Sequence, residues 1–440
     1  MKKRLFYILP VLIFALIWGL YQYAENSPSA HISELREKHS EFLKQQKPEK
    51  DQGLSRLQKI QRGLPPNQYY KLMEYLTMNP ELGYPEPYKV RELHERLLKK
   101  RKSKEYLKSP GENEENQWIS RGPNNVGGRT RVLLFDPNDA TGKRVFAGAI
   151  SGGLWVNNDI TKESSAWDQV AGLPANLNVS CLTVDPRDPN IWYAGTGEQY
   201  TGGDVVGTGV YKTTDGGKNW LQILDVEEYT RTQTAQTNNG EAILFEGGMY
   251  YINDIKAWDN GSNTEVFIGV SSHLYANAEN PDNILGYFEK GLYYTKNGGN
   301  SWFKLIADES FNDFEVDPDG NIWAATTYSG TFSSRGGKIF KRKPGENTSF
   351  EEIFTVPDVL RTEIEASATN PQKFYILAEG ASSEEAEMWI TTDAFATIQP
   401  LNEPADIDED IPAGDFARGQ AFYNLLIEAD PTNDSILYVG

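Results

Sequence analysis

The stretch TTDGGKNW, from Thr213 to Trp220, is the place in this sequence where residue types and spacing best fit a catalytic device. A carboxylate presented on a glycine-rich loop can act as a general acid or base. The same residues also suit a hairpin turn, because Asp215 can accept hydrogen bonds from the N–H groups of its own turn and Gly217 can adopt a positive φ. The residue types of this stretch fit both interpretations.

Related stretches elsewhere in the chain favour the turn. TKNGGNSW places Asn297 where Asp215 stands, and an amide keeps the acceptor of the turn but cannot act as a general acid or base. Two degenerate copies occur at Asn157–Trp167 and Thr391–Ile398. The sequence therefore predicts a structural turn between the third and fourth strands of a repeated unit. The positions assigned to these turns are Thr213, Asp215, Gly217, Trp220, Thr295, Asn297, Gly299, Trp302, Thr391 and Asp393.

A second candidate for chemistry is the glycine-rich loop GTGEQYTGGDVVGTG, from Gly195 to Gly209. Glu198, Tyr200 and Asp204 combine an aromatic ring that can stack with two acceptors, which suits a glycan or a cation. The alternative is a loop with exposed polar side chains and no ligand. Glu198 and Asp204 are also the candidates for a catalytic role. The ligand-binding candidates are Arg129, Arg131, Ser151, Glu198, Tyr200 and Asp204, with His273 and Tyr275 from the insertion Ser271–Lys290.

Metal chemistry has little support in the sequence. The chain has 1 cysteine, Cys181, and 4 scattered histidines, so it offers neither a disulfide nor a cysteine-based metal site. The acidic run ADIDEDIPAGD suggests calcium, but an EF-hand-type loop needs glycine at Ile411 and glutamate at Ala417. We therefore expect no metal and no cofactor. The alternative is calcium bound through Asp406, Asp408 and Asp410.

The candidate residues belong to a unit that repeats after Gln117. Each unit has a strand ending in an Asp/Pro/Asn turn, a strand of the form IWYAG, a glycine-bearing loop, a strand of the form GxYxT, the Asp/Gly turn, and a strand that begins with Trp. Four short strands per unit are typical of a propeller blade rather than of a sandwich. We therefore predict an all-β fold, a β-propeller of four-stranded blades.

About six blades begin in the sequence, which is within the usual range of the fold. The last one has two strands before Gly440. The stretch QWISRGP, Gln117–Pro123, is similar to the outermost strand of a blade, and we expect it to complete the last blade and close the ring. The predicted ring is incomplete at the C-terminus, either because the chain is a fragment, which we favour, or because the natural chain continues.

The part of the chain before the repeats is predicted to have three segments. Residues 1–24 begin with MKKR and continue with an apolar run long enough to span a bilayer. They form a signal peptide or an N-terminal membrane anchor, so the rest of the chain is exported to the cell envelope or the extracellular space. Residues 25–108 form a charged helical region broken by prolines, residues 109–116 a linker, and residues 117–440 the β-propeller.

The charge distribution argues against one class of partner. The chain carries 43 Lys and Arg residues against 62 Asp and Glu residues, a formal net charge of -19. Of the basic residues, 21 lie in the first 108 positions, so the remaining body is strongly acidic. That body lacks the basic face that binding to nucleic acid requires.

The turn motif resembles the Asp-box, the S/T-x-D-x-G-x-x-W turn of bacterial-neuraminidase-type (BNR) repeats. These repeats occur in sialidases, sortilin-type receptors, xyloglucan-cleaving hydrolases and a photosystem assembly factor. The stretches WISRGPNNVGGRTRVLLFDPND and AGAISGGLWVNND are similar to large exported propeller proteins of Bacteroidetes, many of which carry a C-terminal domain for type IX secretion. The resemblance implies a β-propeller and export, and it leaves function open because the fold hosts unrelated activities.

The enzymes among these families use residues that this sequence largely lacks. Sialidases need an arginine triad and an Arg-Ile-Pro element, but no Arg-Ile-Pro occurs, and Arg129 and Arg131 have no obvious third partner. The xyloglucan hydrolases use the aspartate of an Asp-Ile-Gly-Gly segment, where this chain has Ser151, which cannot act as a carboxylate base. We therefore predict a non-catalytic binding module for an extracellular protein, peptide or glycan. The alternative is a polysaccharide-cleaving glycoside hydrolase that uses carboxylates of the axial loops.

Overall fold

The computed structural model describes residues 28–45, 76, 78–79, 84–85, 96, 128–173, 177–200, 207–225, 232–236, 242–246, 251–271, 273–274, 284–285, 289–328, 335–345, 349–383, 385–404 and 416–440. The chain divides into two compact units, one made of residues 1–89 and 277–279 and the other of residues 90–276 and 280–440. The predicted segments 1–24 and 109–116 and the strand Gln117–Pro123 lie outside the described residues.

In the first unit, the described elements are one helix and one small sheet. Helix α1 is Pro28–Gln45, and the antiparallel strands are β1 (Met78–Asn79) and β2 (Tyr84–Pro85). Among the described residues, no helix has both the length and the apolar character needed to cross a membrane.

The second unit is built from short antiparallel strands. Five sheets have four strands each and follow one another along the chain, and we call them blades 1 to 5. Blade 1 contains β3 (Thr130–Phe135), β4 (Val145–Ala149), β5 (Gly153–Asn157) and β6 (Trp167–Gln169); blade 2 contains β7 (Val179–Asp185), β8 (Asp188–Thr196), β9 (Gly209–Thr213) and β10 (Leu221–Asp225).

The insertion strands β11 (Thr232–Gln236), β12 (Ala242–Glu246), β15 (His273–Leu274) and β16 (Ile284–Leu285) form a separate sheet. Blade 3 contains β13 (Tyr251–Asp259), β14 (Thr264–Ser271), β17 (Gly291–Thr295) and β18 (Phe303–Ala307); blade 4 contains β19 (Ser310–Val316), β20 (Ile322–Thr327), β21 (Lys338–Arg342) and β22 (Glu351–Thr355). Blade 5 contains β23 (Val359–Ala366), β24 (Phe374–Gly380), β25 (Ala386–Thr391) and β26 (Gln399–Pro400), and a sixth sheet pairs β27 (Ile427–Ala429) with β28 (Leu437–Val439).

This arrangement confirms the predicted all-β propeller, with five four-stranded blades and a two-stranded sixth sheet among the described residues. Within each blade the strands pair in chain order, and the first strand of each blade contacts the first strand of the next. The first strands therefore surround the axis of the fold. The separate insertion sheet was not predicted, and it includes a parallel pairing between β12 and β16.

The core lies between neighbouring blades. The second strands are buried almost throughout, as in IWAATT of β20 and VFIGVS of β14, because blades cover both of their faces. The fourth strands are mostly exposed, as in β18 and β22. Aromatic residues of adjacent second strands pack against each other: the ring centres of Phe146 and Trp192 are 4.9 Å apart, and those of Trp323 and Phe374 are 4.6 Å apart. Burial between blades therefore selects the apolar runs seen in the sequence.

The first strand of each blade contains a β-bulge near its start. The bulges contain Arg131, Ser180, Asn253, Asn312 and Arg361. A bulge places an extra residue in one strand and re-aims its side chain. Each of these five side chains donates a hydrogen bond to a backbone carbonyl, either in another blade or in the segment just before β27. The acceptors are, in the same order, Tyr423, Ile252, Phe311, Thr362 and Leu425. The bulges thus bring polar side chains to one end of the axis.

Candidate functional site

The turn that follows β9 is held together by its own polar groups. Thr213 donates its hydroxyl to Asp215 Oδ1 at 2.8 Å, and the same oxygen accepts the N–H of Asn219 at 2.9 Å. The Asn219 side chain, together with these groups, holds the pKa of Asp215 at about 2. Gly217 has φ 83°, and a Cβ there would lie 2.8 Å from the Trp192 ring, so only glycine fits. Asp215 is ionised and engaged by its own turn.

The turns after β17 and β25 repeat this pattern with other residues. Thr295 donates to Asn297 Oδ1 at 2.9 Å, and Thr391 donates to Asp393 Oδ1 at 2.8 Å. The threonine oxygen of each turn also accepts the N–H four residues later, that of Gly299 at 3.0 Å and that of Phe395 at 3.0 Å. Trp302 is buried after the turn that follows β17, and Trp220 packs on the core after the turn that follows β9.

At the opposite ends of the blades, the predicted ligand-binding residues Arg131 and Tyr200 lie close to Arg361, which the sequence analysis did not identify. The guanidinium carbons of Arg131 and Arg361 lie 4.8 Å and 4.4 Å from the centre of the Tyr200 ring. Arg131 Nε lies 3.8 Å from Glu198 Oε2. Arg361 and Arg131 therefore lie over the same ring, although they are far apart in the sequence. The only feature of the sequence that could have indicated Arg361 is its position near the start of a first strand.

Glu198 is fully buried, with 0% of its side chain exposed. The alternative of exposed polar side chains in this loop therefore does not hold for Glu198, which closely follows β8, a strand in contact with the first strand of blade 3. Among the described residues, both carboxylate oxygens of Glu198 and the hydroxyl of Tyr200 have no hydrogen-bond partner. Burial raises the pKa of the Tyr200 phenol, despite the two nearby guanidinium groups, so the hydroxyl keeps its proton.

Other buried polar atoms without a hydrogen-bond partner gather at the same end. They lie in the loop after β8 or near the starts of the first strands, where the bulges are. They are Asn178 Nδ2 and Oδ1, Gln199 Oε1, Asn253 Oδ1, Ser310 Oγ, Asn312 Oδ1, Arg361 Nη1 and Thr362 Oγ1. Buried polar atoms are nearly always paired in folded proteins, so such a concentration marks a place suited to a polar ligand.

The remaining candidates are placed differently. Arg129 is exposed and stacks on Tyr423, with its guanidinium carbon 5.0 Å from the ring centre. Ser151 is exposed in the turn between β4 and β5. His273 belongs to β15 of the insertion sheet. Asp204, Tyr275 and the possible calcium ligands Asp406, Asp408 and Asp410 lie outside the described residues.

Carboxylates along the axis form a second polar feature, which the sequence analysis missed. Asp254 accepts the N–H of Phe314 at 3.1 Å, and Asp313 accepts the N–H of Ile364 at 2.6 Å. Glu365 accepts the N–H of Ala429 in the same way. Each acid thus binds the backbone of the next first strand. The only signal in the sequence was the recurrence of acids in NDIK, NDFE and TEIE.

Burial shifts the ionisation of these acids. It raises the pKa of Asp254 to about 7 and that of Glu365 to about 8, and it raises the pKa of Asp313 well above its usual value. Lys256 pairs with Glu315 at 3.1 Å. Among the described residues, no group of three His, Cys, Asp or Glu side chains has a geometry suited to a metal ion. The thiol of Cys181 is buried and burial raises its pKa, so it is unreactive.

No family model and no curated protein matches the chain. Among solved structures, a GH74 enzyme from Niastella koreensis has 16% identity and a TM-score of 0.44, over 70% of this chain and 43% of that one. The GH74 xyloglucanase from Xanthomonas campestris has 15% identity and a TM-score of 0.42, over 71% and 50%. A structure of YCF48 bound to D1 peptide has 12% identity and a TM-score of 0.32, over 62% and 80%. The chain spans half or less of the two GH74 enzymes, and similarity at this level says nothing about activity.

Proposed function

We propose that this chain is an exported Asp-box β-propeller that binds a protein, peptide or glycan at one end of its axis, without catalysis of its own. The observation that supports the proposal is the set of buried, unpaired polar atoms around Glu198 and Tyr200, beside Arg131 and Arg361. Each unpaired buried polar group costs about 1–3 kcal/mol. A ligand that donates to Glu198 and accepts from Arg361 removes part of this cost when it binds.

The Asp-box assignment is supported by the three turns that share one hydrogen-bonding pattern. In each, a threonine hydroxyl is bonded to the side chain of an aspartate or asparagine two residues later. Export is proposed from the apolar N-terminal run, which serves as a signal peptide or as an anchor in the cell envelope. The partner is then extracellular, and the acidic body of the chain disfavours nucleic acid.

A glycoside hydrolase is the second candidate, and one observation favours it. Glycoside hydrolysis needs a carboxyl group that is protonated near neutral pH and a second, ionised carboxylate. The pKa of Asp254 is about 7, in the range of a general acid, and Glu198 is a second buried acidic side chain, whose oxygens have no hydrogen-bond donor among the described residues. Against this role, Asp254 is already hydrogen-bonded to the backbone of the next blade, and Arg131 lies beside Glu198.

Binding and turnover on matched panels of peptides and polysaccharides distinguish the two functions. For a binding module, the purified chain retains ligands without product formation, and Glu198→Gln weakens retention about tenfold because hydrogen bonds to a charged group are lost. Glu351→Gln, in an exposed part of β22, serves as the control and leaves retention unchanged. Product formation that disappears in both Glu198→Gln and Asp254→Asn would show that the chain is a hydrolase instead.

A further inference from the structure

The axis carries more carboxyl groups than cationic side chains. Its carboxylates come from the loop after β8 and from the first strands of blades 3 to 5 and of the sixth sheet: Glu198, Asp254, Asp313, Glu315, Glu363, Glu365 and Glu428. The cations are Arg131, Lys256 and Arg361. The first strands that carry Asp254, Asp313, Glu365 and Glu428 contact one another in turn, so these groups lie around one axis.

The cations of the axis are already engaged. Arg361 is paired with Glu363 at 2.5 Å, and Lys256 with Glu315 at 3.1 Å. Arg131 donates to the Tyr423 carbonyl, with Glu198 at 3.8 Å from its Nε. Within the described part of the chain, no ion pair joins Asp254, Asp313 or Glu365 to a lysine or arginine. These acids therefore have no cationic partner of their own, and an added cation would favour their ionised forms.

The end of the axis beside Glu198 offers mainly acceptors. Glu198 is completely buried and contributes two carboxylate oxygens without a hydrogen-bond partner. Among the described residues, the side-chain carbonyls of Asn178, Gln199, Asn253 and Asn312 add four more unpaired acceptors, whereas two unpaired atoms only donate, Asn178 Nδ2 and Arg361 Nη1. A ligand that suits this end carries several N–H donors on a positive centre.

We propose that the end of the axis beside Glu198 binds an organic ammonium group, which donates hydrogen bonds to Glu198 and lies in the field of the carboxylates on the first strands. The chemistry fits a free polyamine or the lysine side chain of a partner protein equally well. A bare metal ion fits less well, because the described residues provide no set of three metal ligands. This proposal rests on the proposed function, binding at the end of the axis beside Glu198, and it adds the chemical class of the ligand.

Proton release gives the proposal an independent readout. At pH 7, Asp254 and Glu365 are partly protonated, because burial places their pKa values at about 7 and about 8. A cation stabilises their ionised forms, so its binding displaces protons and tightens as pH rises from 6 to 9. The charged groups that face these acids are Asp313, Glu315, Glu363, Glu428 and Lys256.

The test is calorimetric titration of the purified full chain with spermidine and, separately, with a short peptide that contains one lysine, each in two buffers of different ionisation enthalpy. We expect binding with proton release. Glu198→Gln should weaken it about tenfold, by loss of hydrogen bonds to a charged group. Lys256→Met should tighten it about tenfold, because a competing ammonium is removed. A gain of affinity cannot result from misfolding, and Glu351→Gln serves as the unchanged control.

The arms of the experiment separate the outcomes. Binding of spermidine alone assigns the site to a free polyamine, and binding of the peptide assigns it to a lysine side chain; both support the proposal. No binding of either probe overturns it, and so does binding that is the same in Glu198→Gln and Lys256→Met. Tighter binding of Mg²⁺ than of spermidine also overturns it. Retention of a neutral glycan or peptide in the absence of spermidine binding would leave the general binding role standing.

Discussion

At the scale of single residues, the same residue type has different roles at the two ends of a blade. Asp215 lies in an exposed turn, where hydrogen bonds from its own turn keep it ionised. Glu198 is buried beside Arg131 and has no hydrogen-bond donor within the part of the chain that the structure describes. A carboxylate that is satisfied by its turn has no capacity left for a substrate, whereas an unsatisfied buried one does. Hydrogen-bond capacity, and not the presence of an acid on a glycine loop, therefore identifies the residue to test.

The structural role of Asp215 leads to a prediction that Asn297 already illustrates. Asp215→Asn should leave the melting temperature within about 1 °C, because an asparagine holds the equivalent turn of blade 3. Asp215→Ala should lower it by about 2–4 °C, because the N–H groups of the turn lose their acceptor. Differential scanning calorimetry measures both effects. A loss of any measured activity in Asp215→Asn at an unchanged melting temperature would contradict the structural role.

At the scale of elements, the repeat made the blades predictable. Strand ends, the apolar second strands and the Asp/Gly turns recur, and each depends on residues close together in the sequence. The bulges of the first strands were not predictable, because a bulge depends on pairing with the second strand and has no strict residue signal. The meeting of Arg131, Tyr200 and Arg361 follows from those bulges and from the ring of blades, so it could not be read from spacing either.

The turn of blade 5 has non-glycine residues where the other turns have glycine, which gives a prediction for that element. Ala394 and Phe395 have φ values of 54° and 68°, a region that favours glycine. Ala394→Gly should therefore stabilise the fold by about 0.5–1 kcal/mol. Phe395→Gly should destabilise it by about 3–5 kcal/mol, because Phe395 is buried against Trp323.

Urea unfolding of the two variants measures these changes in the free energy of unfolding. The parent chain and Gly320→Ala are suitable references, since Gly320 also has a positive φ, at 80°, and an added Cβ there would meet only Pro344. Gly320→Ala should be mildly destabilising for backbone reasons alone. A destabilising effect of Ala394→Gly would show that its positive φ costs little in this turn.

At the scale of the whole molecule, the carboxylates of the axis make stability depend on pH in an unusual direction. The pKa values of Asp254 and Glu365 in the folded chain, about 7 and about 8, lie above those of the same groups in an unfolded chain. Between about pH 4 and pH 8 the folded chain therefore binds more protons than the unfolded chain, so the free energy of unfolding falls as pH rises. We expect a loss of several kcal/mol from pH 5 to pH 9, because each acid contributes up to about 1.4 kcal/mol per pH unit between pH 5 and its folded pKa.

Chemical unfolding at a series of pH values measures this loss. The double variant Asp254→Asn, Glu365→Gln should flatten the dependence, since neither replacement titrates and both keep a carbonyl that can accept the backbone N–H of the next blade. The Glu351→Gln chain should keep the slope of the parent. A parent chain whose stability rises between pH 6 and pH 8 would contradict the placement of these acids.

The bulges have a further consequence for how such a molecule can diversify. A bulged residue stands outside the regular strand pairing, so exchanging it leaves the register of the blade in place. The five bulges hold arginine, serine, asparagine, asparagine and arginine, yet each side chain donates the same kind of hydrogen bond to a backbone carbonyl of a neighbouring segment. The propeller therefore has five positions, one per blade, at which the polar groups at this end of the axis can be changed separately while the strand pairing stays the same.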